Sequence, residues 1–195
     1  HLSIRRQRQM CIRDSHLSGF DLLRNISLEV EAGKVTAIVG PNGAGKSSLL
    51  KVLTGDMPAT KGDVYLNNRL LTQWLPLEKA QMLAVLPQHT LLNFSFTADE
   101  VVGLGRIPHQ TGIIKDKQII AEALDWVDAS YLQRRFYTQM SGGEKQRVQL
   151  ARVLAQIWQS SALGDQFLVL DEPTSAFDLS HQKLTLDIVR QLANK

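Results

Sequence analysis

"KVTAIVGPNGAGKSSLLKVL", residues 34–53, decides how the rest of this chain is read. It opens on KVTAIVG (34–40), a nearly continuous apolar run of the kind expected for a strand buried on both faces. It closes on a helical stretch from about Lys46 to Leu53. Between them lies GPNGAGKSS (40–48), which has the spacing G-x-x-x-x-G-K-[ST] in the strand–turn–helix setting that this motif needs. Gly40, Gly43 and Gly45 allow the loop to curl its backbone N–H groups around phosphate oxygens. The whole loop, Gly40, Pro41, Asn42, Gly43, Ala44, Gly45, Lys46, Ser47 and Ser48, is therefore expected to hold a phosphate chain. Lys46 supplies a cation to it, and Ser47 a hydroxyl for Mg²⁺. A structural turn would explain the glycines, but not the lysine and serine at their required places.

A partner motif lies far along the chain. FLVLDEP (167–173) reads as a second buried strand that delivers Asp171 at its C-terminal end. Open α/β sheets place their ligands at that edge. Asp171 is expected to serve Mg²⁺. Neighbouring side chains on a strand point opposite ways, so Glu172 is expected to take a different task, polarising an attacking water.

A third anion site is suggested by QMSGGEKQRVQLARVLAQIW (139–158). Ser141 and Glu144 have capping-box spacing, and an apolar stripe follows at helical spacing. Gly142 and Gly143 fit a mere cap poorly, because glycine in a first turn costs entropy. They make sense if an anion must approach bare backbone at a helix N-terminus.

The remaining chain supports an α/β reading. ISLEVE (26–31), GDVYLNN (62–68) and LAVLPQ (83–88) read as strands. Thr97 and Glu100 form another capping box ahead of a helix. A further helix is expected near 116–127, and a last one from about Leu179. Strands flanking helices imply an α/β core with a helical subdomain inserted near 90–160. Residues 1–18 show no periodicity and read as an ill-fitting leader, in which MCIRDS (10–15) looks like translated adapter sequence. The domain is expected over 19–195.

Composition narrows the classes. The 195 residues are 44% hydrophobic and 21% charged, with net charge +3. That is globular, and too weakly basic to point to nucleic acid. Cys11 is the single cysteine, so no intrachain disulfide can form, which suits a reducing compartment. No apolar run reaches the ~18 residues of a membrane-spanning helix, and the basic N-terminus lacks the apolar segment of a secretory signal.

The ordered set GPNGAGKS, LPQ, MSGGEKQR, LVLDEP and SAFD, spread from about residue 20 to 195, resembles the nucleotide-binding domain of ATP-binding cassette (ABC) proteins. The resemblance implies a P-loop NTPase fold with a mixed sheet core and an inserted helical subdomain, using ATP and Mg²⁺. It implies that Ser141, Gly142 and Gly143 face the γ-phosphate of ATP held by an opposite subunit. Gln88 resembles the glutamine that contacts Mg²⁺ and water at the hinge to the helical subdomain. Asp178 resembles the aspartate that reaches across the dimer, and Glu172 the catalytic carboxylate. Met140 stands where leucine is usual, a volume-conserving exchange. Leu17, with Phe20 nearby, stands where an aromatic often stacks on adenine. The family's switch histidine lies on a later strand. His181 comes too early and reads as a surface residue, so 19–195 is expected to be incomplete at its C-terminal end.

VLPQHTLLNFSFTADEVVGLGRIPH (85–109) and VQLARVLAQIW (148–158) resemble the branch serving haem, iron-chelate and cobalamin importers. That implies an ATP-hydrolysing motor, with haem as the foremost cargo and ferric siderophore or cobalamin as alternatives. It also implies a homodimer of ATPase subunits on an integral membrane permease, with a periplasmic substrate-binding protein engaged indirectly. The motor would be peripheral, on the cytoplasmic face of the inner membrane, without a nucleic-acid partner. A non-transport ATPase acting on nucleic acid or ribosomes is the other reading. It would favour a coiled-coil insertion or a basic stripe, whereas 90–160 mixes both signs of charge.

Overall fold

The computed structural model describes the backbone of residues 9–13 and, with side chains, residues 26–59, 61–88, 92, 94–173 and 179–193. In chain order the elements are β1 (Gln9–Arg13), β2 (Leu28–Glu31), α1 (Lys46–Thr54), β3 (Asp63–Leu66), β4 (Arg69–Leu70), α2 (Pro76–Met82), β5 (Leu83–Leu86), α3 (Ala98–Gly103), α4 (Ile113–Trp126), α5 (Gly142–Gln156), β6 (Phe167–Leu170) and α6 (Leu179–Ala193). Asn67 and Asn68 take left-handed backbone at φ 51° and 63°. Two such residues in a row are what a tight hairpin turn requires, and they fold β4 back onto β3.

Among the described residues the strands form two separate sheets. One is antiparallel, in the order β2-β1-β3-β4; the other is the parallel pair β5-β6. The register of the parallel pair sets Leu83 against Phe167 and Leu86 against Leu170. This pair is the wall between two apolar cores. Leu83 and Phe167 join a cluster with Leu49, Val52 and Leu53 of α1 and Leu66 of β3. Ala84 and Leu86 join the other cluster, with Val101, Ile119, Leu124, Val148 and Leu154 from α3, α4 and α5. Alternation along a strand is what sends neighbouring residues to opposite cores.

Two expectations from sequence are not met. The apolar run 34–40 forms no strand, and Val35 and Val39 are 55% and 91% exposed. An apolar pattern states what a segment would bury, but a strand exists only when a neighbour's edge takes up its N–H and C=O groups. Among the described residues no strand does so for 34–40. The second difference is in the expected leader, where Gln9–Arg13 is strand β1, paired on both sides with β2 and β3. A ladder is made of backbone groups, so a five-residue strand held on both edges needs no alternating side-chain pattern.

The helical cluster is organised around α5, whose Val148, Leu150, Ala151, Val153 and Leu154 are all fully or nearly fully buried. The 3-10 turn Leu104–Arg106 lies directly on it. A Cβ placed on Gly105 would stand 2.2 Å from the carbonyl oxygen of Arg152, so only glycine permits this approach. Arg106, which the sequence alone would leave as a solvated cation, is 4% exposed. Its guanidinium donates to the Ala155 carbonyl at 2.6 Å, to Asp116 at 2.8 Å, to Thr111 at 2.9 Å and to Gln159 at 3.1 Å. A cation bonded to the last carbonyls of a helix also opposes the negative end of its dipole.

Gly105→Ala should therefore destabilise the fold by about 1–3 kcal/mol, the usual cost of forcing atoms into a filled space. A denaturant titration that leaves the midpoint unmoved would show that the turn shifts off α5 at no cost.

Candidate functional site

The glycine-rich loop meets α1 through left-handed backbone, at φ 81° for Gly43 and 85° for Gly45. A side chain at either position would strain that geometry. The Lys46 ammonium donates to the Gly40 carbonyl at 2.8 Å and the Pro41 carbonyl at 2.9 Å, so the loop is closed by its own lysine. Ser47, in the first turn of α1, donates its hydroxyl to Asp171 at 3.1 Å, across 124 positions of sequence.

Parallel strands end at the same edge, and this brings the other groups together. The Asp171 N–H donates to the Leu86 carbonyl at 2.9 Å, one step past the strands. Just beyond, the Gln88 side-chain amide donates to a Glu172 carboxylate oxygen at 2.6 Å. Asp171 and Glu172 thus have different partners, Ser47 and Gln88. Simple strand alternation is not the cause, because β6 stops at Leu170 and Glu172 has left-handed backbone at φ 49°. A non-glycine residue in that region stores strain, as is frequent at functional sites.

These groups surround an open cavity of about 470 Å³ lined by Asn42, Gly43, Gly45, Lys46, Ser47, Ser48, Gln88 and Glu172. Such a volume suits a nucleotide-sized ligand. Ser141, Gly142 and Gly143 are not among the lining residues. They open α5 elsewhere, where Ser141 accepts from the Glu144 N–H at 3.3 Å and Glu144 accepts from the Ser141 N–H at 2.7 Å. This reciprocal cap is the one that the spacing Ser141-x-x-Glu144 predicts. The bond from the Ser141 N–H, then the one from its hydroxyl, hold the Glu144 carboxyl below its usual range, with Arg135 and Arg147 adding to the effect. A Cβ on Gly142 would touch nothing within 4 Å. Packing inside this chain therefore does not call for a glycine there.

Asp178, Leu17 and Phe20 lie outside the described residues. His181 is no bare surface residue: its ring Nε2 accepts from the Arg147 guanidinium at 2.9 Å. Arg147 also donates to the Asp128 carbonyl at 2.7 Å and the Tyr131 hydroxyl at 2.6 Å. Sequence reading also passed over Gln146, whose amide donates to the Pro173 carbonyl at 2.8 Å. Gln146 and Pro173 are 27 positions apart in the chain, and no local pattern joins them.

Comparison with known proteins follows the same lines. The ABC transporter family matches residues 23–175. The chain belongs to that family. It is therefore an ATP-binding domain. The hemin import ATP-binding protein HmuV of Pseudomonas fluorescens (strain Pf0-1) is 50% identical over 174 residues, which are 89% of this chain and 68% of that protein. HmuV of Pseudomonas aeruginosa (strain PAO1) is 49% identical over 177 residues, 91% of this chain and 69% of the relative. The chain thus spans about two thirds of the length of these relatives. Among solved structures, the dimeric post-hydrolysis state of the ATP-binding cassette MJ0796 bound to ADP and Pi superposes with TM-score 0.80 at 23% identity. That likeness covers 94% of this chain and 82% of that one, and it shows the fold. No helix among the described residues is long and apolar enough to cross a membrane.

Lys46→Ala should weaken ATP binding about 10- to 100-fold, since a hydrogen bond to a charged group contributes about 1.5–3 kcal/mol. Fluorescent-nucleotide titration measures this. Unchanged affinity would remove the lysine, and with it the loop, from the phosphate site.

Proposed function

We propose that this chain is the ATP-hydrolysing motor subunit of a haem importer. The observation that carries the reading is close identity to hemin import ATP-binding proteins, at about 50% over about 90% of the chain. The hydrogen-bonded pairs Ser47–Asp171 and Gln88–Glu172 support it, with Ser47, Gln88 and Glu172 lining one cavity. Two copies would close on two ATP molecules and drive an integral membrane permease from the cytoplasmic face of the inner membrane. A periplasmic binding protein would deliver cargo to the permease and meet the motor only through it.

Each residue has a task in this reading. The N–H groups of 42–48 and the Lys46 ammonium hold the phosphate chain. Lys46 exchanges its two loop carbonyls for phosphate oxygens. The Ser47 hydroxyl and Asp171 carboxylate present hard oxygens side by side, the donors that Mg²⁺ prefers. No three His, Cys, Asp or Glu side chains gather among the described residues. A Mg²⁺ ion takes few protein ligands and completes its shell with water and phosphate oxygen. When bound, Mg²⁺ neutralises charge that develops on the phosphates. Gln88 can present its amide oxygen to the ion while its NH₂ group orients Glu172, since one amide offers both an acceptor and donors. Glu172 then takes a proton from the water that attacks the γ-phosphate.

The placement of α5 supports a composite site. Its capped N-terminus carries an open glycine and stays out of its own chain's cavity. A helix N-terminus binds anions through its N–H groups and dipole, so Ser141, Gly142 and Gly143 would complete the cavity of an opposing copy. Asp178 would reach across the same interface.

Three outcomes follow. Glu172→Gln should keep ATP affinity and lower turnover about 10²–10⁴-fold, the usual contribution of a positioned acid–base group; normal steady-state hydrolysis would exclude Glu172 as the base. In dimers mixed with wild type, Ser141→Arg should damage the site whose Lys46 belongs to the other copy. A defect that stays with the variant's own Lys46 would refute the composite site. Reconstituted with its permease, the full-length protein should couple ATP hydrolysis to uptake of haem. Uptake of ferric siderophore or cobalamin in place of haem would overturn the cargo.

A further inference from the structure

The left-handed turn at Glu172 needs something to hold it. The β5–β6 ladder makes its last bond at Asp171. The following Pro173 has no N–H to contribute. At that point Gln146, from the second turn of α5, donates its NH₂ group to the Pro173 carbonyl at 2.8 Å, with the Glu172 carbonyl at 3.5 Å. Its other end is unusual: among the described residues, the buried Gln146 amide oxygen has no hydrogen-bond partner. Burying an unpaired acceptor works against stability, so a glutamine chosen for packing alone would be a poor choice here.

We infer that Gln146 is a positioning residue for Glu172, holding the strained turn that aims the carboxylate. The inference rests on the reading of Glu172 as the base. It adds a direct link between two sites. The first turn of α5 offers Ser141 and Gly142 to an opposing γ-phosphate, while the second turn grips the backbone that carries this chain's own carboxylate. Gln146 is five positions from Ser141, about one and a half helical turns at ~3.6 residues per turn. Any shift of the α5 N-terminus on meeting a partner's nucleotide is therefore delivered to the Glu172 turn by a single side chain. Gln88 fixes the carboxylate from the other side, through its 2.6 Å bond. The aim of Glu172 is thus set jointly by the end of β5 and by α5.

The test uses Gln146→Met, which keeps length without the donor, and Gln146→Ala as a second variant. Both are made in the full-length protein assembled as its dimer. Each should lower kcat about tenfold or more, because small misplacements of a reacting group are costly, and should leave the KM for ATP in place. In mixed dimers the loss should fall on the site that holds the variant's own Lys46, the opposite of Ser141→Arg. In a Glu172→Gln background, Gln146→Met should cause no further fall in single-turnover rate, since a residue acting through another has nothing left to act on. A raised KM at unchanged kcat would overturn the inference, as would losses that multiply in the double variant or follow the partner's site. Normal hydrolysis by Glu172→Gln alone would overturn the base assignment, and this inference with it.

Discussion

The parallel pairing of β5 with β6 is the constraint on which the rest of this structure depends. Two short strands, 84 positions apart at their paired ends Leu86 and Leu170, run side by side and stop at one edge. Asp171, Gln88 and Glu172 gather where they stop. Asp171 continues the ladder by one bond, and Gln88 and Glu172 meet directly beyond it. An antiparallel pair would have sent the two chain ends to opposite edges, with Gln88 and Glu172 apart. The same pair divides the apolar interior. Side chains that alternate along β5 enter the α1 cluster or the helical cluster in turn, so this edge is braced from both sides.

Helix α5 is the second organising element, and it works at three levels along its length. Its first turn is capped by Ser141 and Glu144 and carries an open Gly142. Its second turn reaches the Glu172–Pro173 backbone through Gln146 and the start of α6 through the Arg147–His181 bond. Its last turns are buried against Gly105 and bonded by Arg106. A rigid element with three such attachments transmits displacement instead of absorbing it, because packed interiors resist compression.

The site itself is built from few charges held apart. Lys46 rests on loop carbonyls, and Ser47 on Asp171. Glu172 is directed to Gln88 by a backbone conformation that few non-glycine residues accept. The Gly40 and Pro41 carbonyls give the Lys46 cation polar partners within its own loop.

Much of this was legible in the sequence, for a definite reason. Capping boxes, the glycine-rich loop, the Asn67-Asn68 turn and the short apolar strands depend on neighbours within a few positions, and local chemistry determines them. Thr97 with Glu100 and Ser141 with Glu144 therefore appear as the spacing predicts. The ordered motifs also placed the chain in its family before any contact was known. What only the tertiary structure decided are relations across long stretches of chain. The burial of Arg106 depends on the Ala155 carbonyl at the far end of α5, and the bond of His181 on an arginine 34 positions away. The hold of Gln146 on Pro173 and the left-handed turn at Glu172 belong to no local pattern. The run 34–40 is the converse: apolar enough for a buried strand, it forms none where no neighbouring edge pairs with it. Sequence determines which segments can become strands and helices; the partner that satisfies their backbone and side-chain polar groups is chosen only when the chain closes on itself.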